Sequence, residues 1–146
     1  MRVFLFVLFV LFLCVSLGAN AKTRQYGNAS VSEIVSIYDG DTFTVNIDEW
    51  PSIVGQRISV RIAGIDTPEM RGRCEEEKTK ARQAKQFTVA ALRNASRIEL
   101  KNLQRDKYFR LLSDVYIDGE NLAQQLLNQG FAVPYSGYTK INWCNY

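Results

Sequence analysis

The chain has 146 residues, 18 Lys or Arg against 15 Asp or Glu, no histidine, and a formal charge of +3 at neutral pH. The missing imidazole excludes a Ser-His-Asp triad, a histidine-held zinc and a histidine general base, so any catalysis must run on carboxylates, guanidinium groups and a bound metal. Net charge selects no partner, but between residues 71 and 110 twelve Lys or Arg face five acids, which fits a solvated helix face or a polyanion footprint.

Residues 1–21 have the form of a cleaved signal peptide, with Arg2, an almost wholly apolar run, and Ala19-Asn20-Ala21 as a small-x-small cleavage site. The run is shorter than the ~20 residues a spanning helix needs, which favours cleavage over a retained anchor. Leu13, before Cys14, occupies a position where lipid attachment calls for a small residue. The expected destination is therefore export, periplasmic or fully secreted, without stable membrane association after cleavage. Residues 22–32 are polar and aperiodic and read as a flexible leader. Residues 33–146 are long enough for one domain with its own core.

Strand signals follow closely. Residues 33–38 are apolar and β-branched up to the Asp39-Gly40 turn, and 42–48 alternates with Phe43, Val45 and Ile47 on one face. Trp50-Pro51 and Gly55 mark the return. Residues 57–63 alternate again, with Ile58, Val60 and Ile62 inward and Arg61 on the polar face. Residues 75–94 predict a helix: Glu75, Glu76 and Glu77 open it, Arg93 closes it, Glu76 and Lys80 form an i,i+4 pair, and Ala84, Phe87 and Ala91 make a narrow buried stripe. Strands at 97–103 and 111–117 flank a charged loop. Asp118-Gly119 then leads to a short helix with Leu122, Leu126 and Leu127 inward and Gly130 past its end. The order predicts an α+β domain, a five-stranded OB-fold barrel with two flanking helices.

The chemistry concentrates in Asp39-Gly40-Asp41-Thr42 and Asp66-Thr67-Pro68-Glu69. If the first three strands form a meander, Asp41 and Asp66 lie at one end of it. An all-oxygen site of this kind suits Ca²⁺ or Mg²⁺ rather than zinc. Glu69 at the rim can polarise a water, and Arg61 offers a bidentate phosphate contact. Either motif alone is a common turn or helix start. Cys74 and Cys144, the two cysteines beyond the leader, form a disulfide candidate in an exported chain.

Tyr38-Asp39-Gly40-Asp41-Thr42, Arg61-Ile62-Ala63-Gly64-Ile65-Asp66-Thr67-Pro68-Glu69 and Asp106-Lys107-Tyr108-Phe109-Arg110 occur in the order seen in the staphylococcal nuclease (thermonuclease) family. The chain resembles that family, and residues 69–74 with Trp143-Cys144 resemble its exported Gram-negative branch, in which the cysteine pair is expected. The resemblance implies an OB barrel and calcium-dependent hydrolysis of DNA and RNA, single-stranded or denatured strands preferred, to 3′-phosphate products by a monomer. It implies Asp41, Asp66 and the Thr67 carbonyl as Ca²⁺ ligands, Glu69 as the residue acting on the attacking water, and Arg61 and Arg110 as the phosphate-holding arginines. Lys107 and Tyr108 become nucleotide-phosphate contacts, and Tyr135 or Tyr138 flanks the base.

Phe109 departs from the family's usual glycine; the expectation is an ordinary negative φ, with the ring packed on the barrel rim. Two rival readings remain. A catalytically weakened nucleic-acid-binding module would ordinarily lack some of the five acids and arginines that this chain keeps. An OB-type adhesion or oligosaccharide-binding domain would have no use for paired arginines around acids.

Overall fold

The computed structural model describes residues 24–146; the expected signal peptide lies outside them. Among the described residues no helix is long and apolar enough to cross a membrane. In chain order the elements are β1 (Ala29–Ser30), β2 (Glu33–Ile37), β3 (Thr42–Asn46), α1 (Ser52–Gly55), β4 (Ile58–Ile62), β5 (Ile65–Asp66), α2 (Glu75–Asn94), β6 (Ile98–Arg105), β7 (Leu111–Ile117), β8 (Glu120–Asn121), α3 (Leu122–Asn128), β9 (Val133–Pro134) and a 3-10 turn at Trp143–Asn145.

The five expected strands all form and curl into one OB-type sheet, ordered β1-β6-β7-β4-β3-β2, with β8 beside β7. β2, β3 and β4 are the antiparallel meander, in which Thr42 faces Arg61. β4 then runs parallel to β7 with Val60 opposite Leu111. The Asp39 turn enters β3 at the end of the sheet where β4 leaves, and the parallel pairing sets Leu112, just past the β6–β7 hairpin, opposite Arg61. A separate ribbon pairs Asp66 of β5 with Val133 of β9 and brings the tail to the same end.

Alternation drives the packing: every second residue of β7 is buried, and Phe43, Ile62, Leu100, Val115, Leu122 and Leu126 are fully enclosed. α3 ends with the Gly130 amide donating to the Leu127 carbonyl and Phe131 to Leu126. This paired closure needs a residue at φ 72 and has glycine there. Leu127 is only partly buried, beside the enclosed Leu122 and Leu126.

Three details differ from the sequence expectation. Ala29–Ser30, within the stretch read as a flexible leader, pairs with Leu100 and Glu99, and the neighbouring Tyr26 amide donates to Leu103. These are backbone bonds, which a polar two-residue strand does not announce. α2 buries Ala81, Ala84, Thr88 and Leu92, with Phe87 and Ala91 only partly buried. The stripe is turned because small residues let the helix approach Gly40, where an added Cβ would come within 2.9 Å of both Ala84 Cβ and Thr67 Cγ2. Thr88 is buried because its hydroxyl donates to the Gly40 carbonyl at 2.7 Å. Finally, the ion pair on the first turn of α2 joins Glu75 to Lys78, while Lys80 donates to the Tyr146 carbonyl.

Cys74, the N-cap of α2, is bridged to Cys144 across a sequence separation of 70, with Cα atoms 6.0 Å apart. Closing a loop of that length restricts the unfolded chain by roughly 4 kcal/mol. Replacing both cysteines by serine is therefore expected to lower unfolding free energy by about 2–4 kcal/mol in urea titrations, with the far-ultraviolet dichroism of the folded state preserved.

Candidate active site

The Asp39 turn is built by its own side chain. Asp39 Oδ1 accepts the amides of Asp41 (3.1 Å) and Thr42 (2.8 Å), the local bonding that makes aspartate a turn former. Asp41 is thereby directed inward. Its Oδ1 accepts the Thr42 hydroxyl at 3.0 Å and its Oδ2 the Thr67 amide at 2.9 Å, so the two acidic motifs are joined directly.

Arg61 lies between them and is only 8% exposed. Its Nη1 is 2.9 Å from Asp41 Oδ2 and its Nη2 3.5 Å from Asp66 Oδ1. The same nitrogens donate to the carbonyls of Ile62 (3.0 Å) and Ile65 (2.8 Å). The polar face of β4 is therefore buried at this end, because the turns before β3 and after β4 fold over it.

Asp66 is 1% exposed and takes a hydrogen bond from Trp143 Nε1 on its Oδ2 at 3.2 Å. Its Oδ1 has no hydrogen bond of good geometry and is held by charge, with Lys140 Nζ at 2.8 Å. Lys140 also reaches Glu69 Oε1 at 2.6 Å. Burial lowers the lysine pKa, but Asp66 and Glu69 outweigh it and raise it well above the ordinary range. Glu77, buried on the first turn of α2, accepts the Arg73 amide at 2.8 Å and a long bond from the Glu69 amide at 3.4 Å, anchoring the loop that carries Glu69.

The β6–β7 hairpin is organised by Asp106, which accepts the amides of Tyr108 (2.8 Å) and Arg110 (3.0 Å) and pairs with Arg110 Nε at 2.7 Å. Partial burial raises the Asp106 pKa, yet the Arg110 guanidinium and the two amides prevail and lower it. Arg110 lies 5.4 Å from the centre of the Tyr108 ring, and Lys107 Nζ 5.0 Å.

Phe109 corrects an expectation: it has φ 64 and is 83% exposed, rather than at negative φ and packed on the rim. The Phe109 amide closes a turn onto the Asp106 carbonyl, and the Asp106 amide returns to Arg110. A three-residue hairpin of this form requires a left-handed residue before the second strand, whatever side chain stands there. For phenylalanine that conformation costs about 1–2 kcal/mol.

These groups meet at a cavity of about 1090 Å³. Asp41, Arg61, Glu69, Lys107, Tyr108, Arg110 and Tyr135 line it, as do Asp39 and Lys140. Asp66 and Thr67 are buried and do not line it, and Tyr138 is exposed outside it, its carbonyl accepting the Tyr135 hydroxyl at 3.1 Å. The cluster thus has a deep floor of Asp41, Arg61 and Asp66 and an open wall of Glu69, Arg110 and the hairpin. Lys140, Trp143 and Glu77 are participants that the motifs did not reveal. The available signal was Cys144, whose bridge to Cys74 returns the tail beside the Glu69 loop.

Fold and site together define an OB-type domain with a pocket floored by carboxylates and Arg61 and walled by Glu69, Arg110 and the hairpin. A family model described as staphylococcal nuclease homologue matches residues 59–144, and the chain belongs to that family. It is 28% identical over 115 residues to the thermonuclease of Staphylococcus hyicus, covering 78% of this chain and 61% of that protein. A Podospora anserina protein named "Probable endonuclease LCL3" is 32% identical over 145 residues, covering 84% of this chain and 52% of its own length. An uncharacterized endonuclease of Haemophilus influenzae is 31% identical over 107 residues, covering 73% and 53%. The chain thus spans half to three-fifths of these relatives' lengths.

Asp39 gives this site a pH signature. Burial, and then the Asp41 charge beside it, raise its pKa from 3.8 to about 7. A carboxyl whose pKa is higher in the folded state favours folding at low pH, and that contribution is lost as pH rises from about 4 to about 7. Asp39→Asn keeps an oxygen for the turn amides and removes the charge. It is expected to be more stable than the parent by on the order of 1–2 kcal/mol at pH 8 in chelator, with little difference at pH 4, in paired denaturation curves.

Proposed function

We propose that the protein is an exported, calcium-dependent nuclease that hydrolyses phosphodiester bonds of DNA and RNA, preferring single-stranded or denatured strands, and leaves 3′-phosphate ends. It acts as a monomer. The observation that carries the reading is the floor-and-wall arrangement: two buried aspartates bridged by Arg61 beneath a cavity into which Glu69 and Arg110 both face. Family membership and the nuclease names of the relatives support the same class of reaction.

The donor set fits a hard cation. Asp66 Oδ1 is buried without a hydrogen bond of good geometry and is met only by the Lys140 and Arg61 charges, Asp41 lies across the guanidinium from it, and only oxygen ligands are at hand. Asp41, Asp66 and the Thr67 carbonyl would hold the ion, which when bound supplies positive charge to a phosphate oxygen. Glu69 is half exposed at the rim, where its carboxylate can take a proton from a water aimed at phosphorus. Arg61 and Arg110 donate to the phosphate as charge builds on it and the bond to the 5′ oxygen breaks. Asp106 fixes the Arg110 fork, so little reorganisation is needed. Lys107 and Tyr108 meet the flanking phosphate, and Tyr135 stands by the base.

One observation favours the weakened binding module as a second reading: Lys140 bridges Asp66 and Glu69, the groups the reaction needs free. Lys140→Ala is expected to tighten Ca²⁺ binding several-fold in calorimetric titration, because a competing ammonium is removed. Unchanged binding would show that Lys140 does not compete.

Plasmid and denatured-DNA cleavage should require Ca²⁺ and vanish in excess chelator; undiminished cleavage there would refute the proposal. Glu69→Gln and Arg110→Lys should each lower kcat by about 10² or more with an unchanged melting temperature. Arg61 is a poorer probe than its sequence position implies. Its removal strands two buried carboxylates, so its variants should lose about 3–5 kcal/mol of stability as well as activity.

A further inference from the structure

Phe109 takes up a strained conformation and contributes nothing to packing in return. Its φ is 64, at the hairpin position where glycine is free of strain, while its ring is 83% exposed. The backbone around it is independently secured, by Asp106 and by Arg105 Nη1, which donates to the Phe109 carbonyl at 2.6 Å. The hairpin therefore needs a left-handed residue and does not need a phenyl group. Arg57, Asn102 and Asp118 also take a positive φ, but Phe109 alone of the four carries a large apolar ring, and it stands beside the cavity.

The surroundings indicate what the ring faces. Arg105, Lys107 and Arg110 crowd the same six residues, and the one acid among them, Asp106, is consumed by Arg110. Tyr108 lines the cavity and Phe109 does not, so the second ring stands on the outer side of the rim. A flat apolar surface set among cations suits one polymer well, a single strand whose phosphates meet the charges and whose bases present a π face.

We infer that Phe109 is a base-stacking platform that extends the single-strand footprint by one nucleotide beyond the cavity. This rests on the nucleic-acid reading above. Stacking needs an unstacked base, so the contact is open to single strands and closed to a duplex.

The test compares the parent with Phe109→Gly and Phe109→Trp in chelator, which prevents cleavage. Anisotropy of a labelled twelve-residue oligothymidylate is measured against salt, alongside a labelled duplex, anionic phosphatidylglycerol vesicles and thermal melting. Phe109→Gly should melt roughly 2–5 °C higher as strain is relieved. It should bind the single strand about 5- to 100-fold more weakly. Its salt slope should not change, because no phosphate contact is lost, and duplex binding should stay at the parent level. Phe109→Trp should restore single-strand binding. A glycine variant that melts higher yet binds the single strand like the parent overturns the inference alone. Loss of vesicle binding with intact oligonucleotide binding also overturns it, by making the tip a lipid contact. A parent that binds no oligonucleotide overturns both this inference and the reading beneath it.

Discussion

Two carboxylates buried at one end of a small barrel repel each other and lose hydration, a cost that opposite charge has to offset. Arg61 supplies that charge. Its planar fork spans Asp41 and Asp66, and the same two terminal nitrogens also donate to the carbonyls of Ile62 and Ile65. A lysine could neutralise one acid, but it could not satisfy two acids and two carbonyls from one plane. The antiparallel register of β3 and β4, which sets Thr42 opposite Arg61, and the close seat of α2 on Gly40 both serve this arrangement, since they hold the two acidic turns against one guanidinium.

The second layer of the site is built on different principles. The hairpin carrying Lys107, Tyr108 and Arg110 is exposed, and its order comes from one aspartate that collects two amides and a guanidinium. The floor is rigid because it is buried, and the wall is ordered because it is locally hydrogen-bonded. Glu69 joins the wall from outside the hairpin, on a loop anchored by Glu77 and engaged by a tail lysine.

Strands that alternate cleanly, such as Thr42–Asn46 and Leu111–Ile117, were legible because one buried face imposes a period of two. The long helix was legible from its acidic first turn, and its bounds are Glu75–Asn94 as expected. The motif residues were legible because acids and arginines at strand ends are costly without a purpose. What escaped shares a cause: it depends on contacts distant in sequence. Thr88 is buried for a carbonyl 48 residues away, Lys140 pairs with a carboxylate 71 residues away, and β1 forms on backbone bonds to β6. Phe109 escaped differently. The pattern around it was read correctly, but the backbone followed the hairpin's geometry and not the residue's preference.

The indole that caps Asp66 is made 77 residues after it. A chain grows from its amino end, so the barrel strands, the long helix and the hairpin are all synthesised before Trp143. The cover of the acid floor is therefore supplied from the far end of the described chain, where the Cys74–Cys144 bridge ties the tail to the start of α2. Cleaving that bridge would free the segment that carries the indole, so the cover of the floor depends on a covalent bond made outside the cluster itself.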